Sequence, residues 1–158
     1  MKKAWIRFGV LAALALLFLS FALFASVLAP FDPLESHYTD MLKAPGGTYL
    51  FGTDQLGRDL FSRILYGGKS SLLIAFAVTA IISSVGIVIG TVAGFAGGIF
   101  DNLLMRISDM LMAFPGYIFT IALVSFIGVG LPNMILAMSL TGWTFYARIS
   151  RSLVLSVK

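Results

Sequence analysis

The chain has 158 residues, of which 59% are hydrophobic and only 11% charged, with a formal charge of +4. A soluble domain carries about 25% charged residues. A chain this apolar cannot hide its hydrophobic side chains in a water-surrounded core of this size, so its solvent is lipid. There is no cysteine, which excludes disulfides and thiolate metal sites, and the distribution of the basic residues does not describe a nucleic-acid surface.

The first apolar run is Ile6 to Ala29, flanked at its start by Lys2, Lys3 and Arg7. As a helix it is about 36 Å long, enough to cross a hydrocarbon core of about 30 Å with some tilt. A signal peptide is the competing reading, because Lys-Lys precedes the run and small residues lie near Ala25 and Ala29. A signal h-region is only about 7 to 15 residues long, and this run exceeds it.

The most polar stretch follows, Phe51 to Gly68, FGTDQLGRDLFSRILYGG. Its Gly52, Gly57, Arg58 and Asp59 look like a damaged phosphate loop. A working one follows a buried strand and supplies Lys and then Ser or Thr. Here Arg58 and Asp59 hold those places, and an aspartate beside a triphosphate repels it. The plainer reading is a short amphipathic helix: a turn at Gly52, a cap from Thr53 or Asp54, an apolar stripe through Leu56, Leu60 and Ile64, an Asp59–Arg63 pair four apart, and a stop at Gly67-Gly68. Its expected role is to brace the membrane domain from outside, or to dock an external partner. His37 is read as a surface-loop histidine.

Three more apolar runs are expected to span: Ser70–Phe95, Met110–Leu131 with Pro115 inside it, and Leu131–Ala147. The basic residues near span ends orient them. Lys2, Lys3, Arg7, Arg106, Arg148, Arg151 and Lys158 fall on one side, against Lys43, Arg58, Arg63 and Lys69 on the other. Both termini are therefore expected in the cytoplasm, with residues 32–69 outside. In the second run, Gly86, Gly90, Gly94 and Gly98 repeat every four residues and form a groove without side chains. Packing within the chain and a seam between subunits are both open readings of it. Arg106 and Asp109, three apart, can pair as a clamp or as a gate, and Pro115 beside them can bend the span. Met105, Met110 and Met112 read as adaptable packing.

The spacing Gly52-Thr53-Asp54-x-x-Gly57-Arg58-Asp59-x-x-Ser62-Arg63-x-x-Tyr66-Gly67 resembles the signature of the second permease subunit of bacterial ABC importers for dipeptides, oligopeptides and nickel. Pro30-x-Asp32-Pro33, the Ala93–Asp109 block and Ala113-Phe114-Pro115 match in order. The tail from Gly142-Trp143 to Val154 looks most like nickel-type members. The resemblance implies an all-α integral membrane protein of the bacterial inner membrane, with about four transmembrane helices plus the short extracytoplasmic amphipathic helix. It implies a membrane-spanning subunit that does no covalent chemistry and binds no cofactor. ATP would be used by two cytoplasmic ATPase subunits, beside a homologous second permease subunit and an extracytoplasmic substrate-binding protein. Residues 1–50 would form the first helix and outer loop, and 51–158 an incomplete transmembrane domain. Family members continue into a cytoplasmic Glu-Ala-Ala loop that engages the ATPase, so the chain is expected to be a fragment that supports no ATP-dependent uptake even with its partner permease, ATPases and binding protein present. A small membrane scaffold or regulatory protein is the alternative class. A membrane enzyme built on Asp54, Asp59 or Asp109 is disfavoured, because those aspartates fall on opposite sides of the expected membrane.

Overall fold

The computed structural model describes residues 2–158, with side chains from residue 5 onward. Helices α1 (Lys2–Leu23) and α2 (Ala25–Leu28) are followed by a 3-10 turn, Tyr38–Asp40, and then by α3 (Leu60–Ala96), α4 (Gly98–Ala113), α5 (Gly116–Ile127) and α6 (Leu131–Val157). Among the described residues β pairing is limited to two isolated bridges, Gly46 with Tyr49 and Thr53 with Asp59. The all-α reading of the sequence therefore stands. The chain divides into two compact units, residues 1–73 and 74–158, with the division falling inside α3.

The separate amphipathic helix does not form. Residues 51–59 are a hydrogen-bonded turn, and α3 runs unbroken through Gly67 and Gly68 for 37 residues. A glycine stops a helix when it turns left-handed, and neither of these has a positive φ. The cost of glycine in a helix is about 1 kcal/mol relative to alanine. That is less than the cost of interrupting the helix, which leaves backbone groups without partners at each new end. The apolar stripe is also differently placed. Leu65 is buried, whereas Leu56 and Ile64 are exposed.

Among the described residues two helices, Trp5–Leu23 and α3, are long and apolar enough to cross a membrane. Among them a third crossing is available if α4 and α5 are taken together, and they meet at 86°. This revises the expected four spans. Pro115 has no amide to donate and forces the residue before it to be extended. Phe114 accordingly sits at φ −89°, ψ 136°, and the Met110–Leu131 run becomes two helices. The apolar character of α6 is diluted by Asn133, Thr141, Thr144 and Arg148. The long exposed side chains of α1, including Phe8, Leu11 and Phe18, face outward, as lipid allows.

In the second unit, α3 and α6 meet backbone to backbone. A β-carbon on Gly86 would lie 2.5 Å from the Trp143 carbonyl oxygen, one on Gly90 would collide with the Ala147 carbonyl, and one on Gly94 would lie 3.0 Å from Val154 Cβ. From the other side, a β-carbon on Gly142 would come 2.9 Å from Ile82 Cγ2. Ala137, Thr144, Ala147 and Ser150 form the buried face of α6. Gly98 stands apart from this groove: it has φ 60°, opens α4 and has nothing near its β position.

These environments separate glycines that look alike in sequence. Gly90→Ala should lower the thermal unfolding midpoint of the detergent-solubilised chain, because a carbonyl occupies the space of the new methyl. Gly67→Ala, helical and open, should be neutral or stabilise by about 0.5 to 1 kcal/mol. Equal midpoints for the two variants would contradict the packing.

Candidate functional site: the Asp54 loop and the Asp101–Arg151 clasp

The polar stretch folds around one carboxylate. Asp54 Oδ1 accepts from the amides of Leu56 at 2.8 Å and Arg58 at 3.0 Å. Its Oδ2 accepts from Arg58 Nε at 2.8 Å and pairs with Arg63. The backbone of Asp54 is bonded as well, its amide to the Arg58 carbonyl and its carbonyl to the amides of Gly57 and Leu42. Both neighbouring glycines are required by this geometry. Gly52 and Gly57 have φ 74° and 72°. Side chains there would collide with the Lys43 and His37 carbonyls. Thr53 is buried; its hydroxyl accepts from the Lys43 amide at 2.8 Å and donates to the Asp40 carbonyl.

Asp59 is the second centre, and it is 2% exposed. Its Oδ2 accepts from the Ser62 amide at 2.8 Å and the Ser62 hydroxyl at 2.7 Å. Asp59 therefore caps α3, the role expected of Thr53 or Asp54. The Ser62 oxygen accepts in turn from the Phe31 amide at 3.2 Å, which ties the segment after α2 to the start of α3. The expected Asp59–Arg63 pair is replaced by Asp54–Arg63, because Asp59 turns inward to its cap while Asp54 faces both arginines.

The second unit holds a clasp between α4 and α6. Arg151 meets Asp101 with two parallel bonds, Nε to Oδ1 at 2.5 Å and a terminal nitrogen to Oδ2 at 2.6 Å. This is the fork geometry that guanidinium favours with carboxylate. Asp109 pairs with Arg148, a partner on a different helix from the expected Arg106. Arg106 is exposed and makes no ion pair among the described residues. On either side of α4 lie backbone breaks: Gly97 and Gly98 with positive φ, and Phe114-Pro115. The sequence stretch drew attention to Asp109 and Pro115, but the bidentate pair joins positions fifty residues apart. No local spacing points to it.

Two predictions follow from the loop geometry. Asp59→Ala should cost about 1 to 2 kcal/mol, the range for a lost helix cap. An exposed i,i+4 pair would be worth no more than about 0.5 kcal/mol. Asp59→Asn, which keeps an acceptor, should cost less, and thermal unfolding in detergent reads the order. The other concerns acid. Burial pushes the Asp54 carboxyl up, and hydrogen bonds from Arg58 and Leu56 more than reverse this, holding it from its ordinary 3.8 down to about 2. A depressed carboxyl stabilises the fold above its unfolded pKa and loses that contribution as pH falls through the folded one. Amide-exchange protection in residues 52–63 should thus be flat near neutrality and fall between about pH 4 and pH 2. Asp54→Asn should lack that acid limb.

Comparison with known proteins places this arrangement. The profile described as "Binding-protein-dependent transport system inner membrane component" matches residues 86–158. The chain is 39% identical over 149 residues to the nickel transport system permease protein NikC of Escherichia coli (strain K12), covering 94% of this chain and 52% of that protein. It is 37% identical over 147 residues to the probable D,D-dipeptide transport system permease protein DdpC of the same strain, covering 93% and 49%. To the dipeptide transport system permease protein DppC of Bacillus subtilis (strain 168) it is 36% identical over 163 residues, covering 99% and 51%. The chain spans about half the length of the curated relatives it matches. Residues 86–158 thus match the profile of binding-protein-dependent transport system inner membrane components, and nearly the whole chain is similar to the permease proteins of peptide and nickel transport systems.

Proposed function

We propose that the chain is membrane-spanning permease sequence of a bacterial ABC importer for dipeptides, oligopeptides or nickel, with a leaning to nickel or a nickel chelate. The observation that carries the reading is a coincidence of segments. The residues matched by the family profile are those in which glycines seat α3 on α6 and Asp101–Arg151 ties α4 to α6. The leaning to nickel rests on the tail from Gly142 to Val154 and on the 39% identity to the nickel permease. The peptide permeases stand close to it, at 37% and 36%. In this reading the partners are a second permease subunit, two cytoplasmic ATPases and an external substrate-binding protein, with both termini of the chain cytoplasmic.

Transport needs a part whose contacts differ between two states. Helix α4 suits that role in our reading. It is a stiff segment between two breaks, and its charged ties to α6 can be made and released. The buried small-residue contact of α3 with α6 supplies the fixed frame.

The test is uptake by cells lacking their own nickel and dipeptide importers, supplied with the complete transport locus and with the permease at the full length of its relatives. Radioactive nickel accumulation, or growth of an amino-acid auxotroph on a dipeptide, is expected. Asp101→Arg should abolish it, since an unpaired charge in place of a partly buried pair costs about 3 kcal/mol or more. The double exchange Asp101→Arg with Arg151→Asp should restore part of it. Uptake of neither substrate class by the unaltered locus would overturn the reading. Orientation is checked separately. A cysteine at Ser36 should react with an impermeant maleimide added to intact spheroplasts; reaction only after lysis would reverse the topology.

A further inference from the structure

The first unit carries an open pocket beside the Asp54 loop, sharing Arg63 with it, that the family reading does not use. It has a volume of about 280 Å³ and is lined by Pro33, Leu34, Arg63, Tyr66, Gly67 and Ser70. Arg63, Tyr66 and Ser70 recur at three and four residues, so they share one face of α3. Lys69 adjoins them, with its Nζ 5.9 Å from the centre of the Tyr66 ring. Lys69 is exposed and has no carboxylate partner among the described residues. Arg63 gives a terminal nitrogen to Asp54 and keeps a side-chain exposure of 38%. A guanidinium has five donors, so this one has donors to spare.

Position along α3 says what such a pocket meets. The helix carries its charges, Arg63 and Lys69, before Ser70 and is uncharged from Ser70 to Phe95. Tyr66 stands about 6 Å and Arg63 about 10 Å before Ser70, where the uncharged run begins, at a rise of 1.5 Å per residue. The headgroup layer on each side of the hydrocarbon is of that thickness, about 5 to 8 Å. Tyrosine at this level, with lysine and arginine beside it, is the composition of a membrane interface. Two acids, Asp32 and Glu35, flank the lining residues Pro33 and Leu34 in sequence and are not themselves part of the lining. Asp32 Oδ1 accepts from the Leu34 amide at 2.8 Å, and Glu35 lies 3.8 Å from His37 Nε2.

We infer that the pocket of Arg63, Tyr66 and Ser70, with Lys69 at its rim, binds the phosphodiester headgroup of an anionic phospholipid. The two cations attract the phosphate. The Tyr66 and Ser70 hydroxyls are donors of the kind that hold its free oxygens. The lipid's acyl chains then run along the uncharged part of α3, whose Leu73 and Phe76 are exposed. The inference does not depend on which substrate the protein carries, or on whether it transports.

The experiment is native mass spectrometry of the detergent-solubilised full chain titrated with phosphatidylglycerol, phosphatidylcholine or soluble glycerol 3-phosphate. One phosphatidylglycerol per chain should be retained in preference to phosphatidylcholine. Lys69→Gln should weaken it about fivefold, the effect of one basic residue at a lipid surface. Tyr66→Phe should weaken it further when added to that variant. Lys158→Gln removes a cation that serves the Phe95 carbonyl, and should leave retention unchanged. Equal retention of the two lipids, or undiminished retention by Lys69→Gln, would overturn the site. So would equal loss in Lys158→Gln, which would mean attraction to charge in general. Displacement of the lipid by glycerol 3-phosphate would assign the pocket to a soluble anion and overturn the lipid.

Discussion

A backbone in hydrocarbon has no water to bond, and this constraint organises the chain. It explains why α3 stays helical through Gly86, Gly90 and Gly94. It also explains how the breaks are equipped. Where α5 opens after Pro115, the Thr120 hydroxyl donates to the Gly116 carbonyl at 2.8 Å. Where α5 ends, the Asn133 amide donates to the Ile127 and Gly128 carbonyls at 3.1 and 2.9 Å. The irregular segment before α3 satisfies itself in the same way. The amides of Leu42, Thr53 and Leu60 bond the carbonyls of Asp54, Lys43 and Gly52.

Each unit adds a carboxylate that collects arginine. Asp54 gathers Arg58 and Arg63 within one loop, and Asp101 gathers Arg151 between helices. The two ties differ in reach. The first fixes a local turn whose glycines already favour it. The second joins α4 to α6, which Asp109 and Arg148 also tie, and it does so near a surface formed by the absence of side chains. Small residues let α3 and α6 approach, and charge holds α4 to the product.

The fold class was legible in the sequence, because hydropathy and helical spacing are local and lipid leaves few alternatives. The glycine row was legible as a close-approach surface, though not its end: Gly98 continues the four-residue spacing yet starts a new helix. The Gly-Thr-Asp stretch was legible as structured and misread in detail. Four-residue spacing pairs Asp59 with Arg63 on a polar face, whereas Asp59 is buried and caps its own helix. The partner of Asp109 was sought three residues away and lies on another helix. Distant pairs leave no periodic trace, and a glycine pair such as Gly67-Gly68 stops a helix only where one of them turns left-handed, which neither does.

The length of α3 carries a consequence for the membrane itself. Its uncharged part, Ser70 to Phe95, is about 39 Å long, against a hydrocarbon thickness of about 30 Å. The excess must be absorbed by inclination of the helix or by stretching of the surrounding acyl chains, each costing fractions of a kcal/mol per ångström. Of two bilayers with the same headgroups, the one with longer acyl chains is therefore the better host. Hydrophobic mismatch then gives lipid chain length a mechanical influence on how steeply α3 stands.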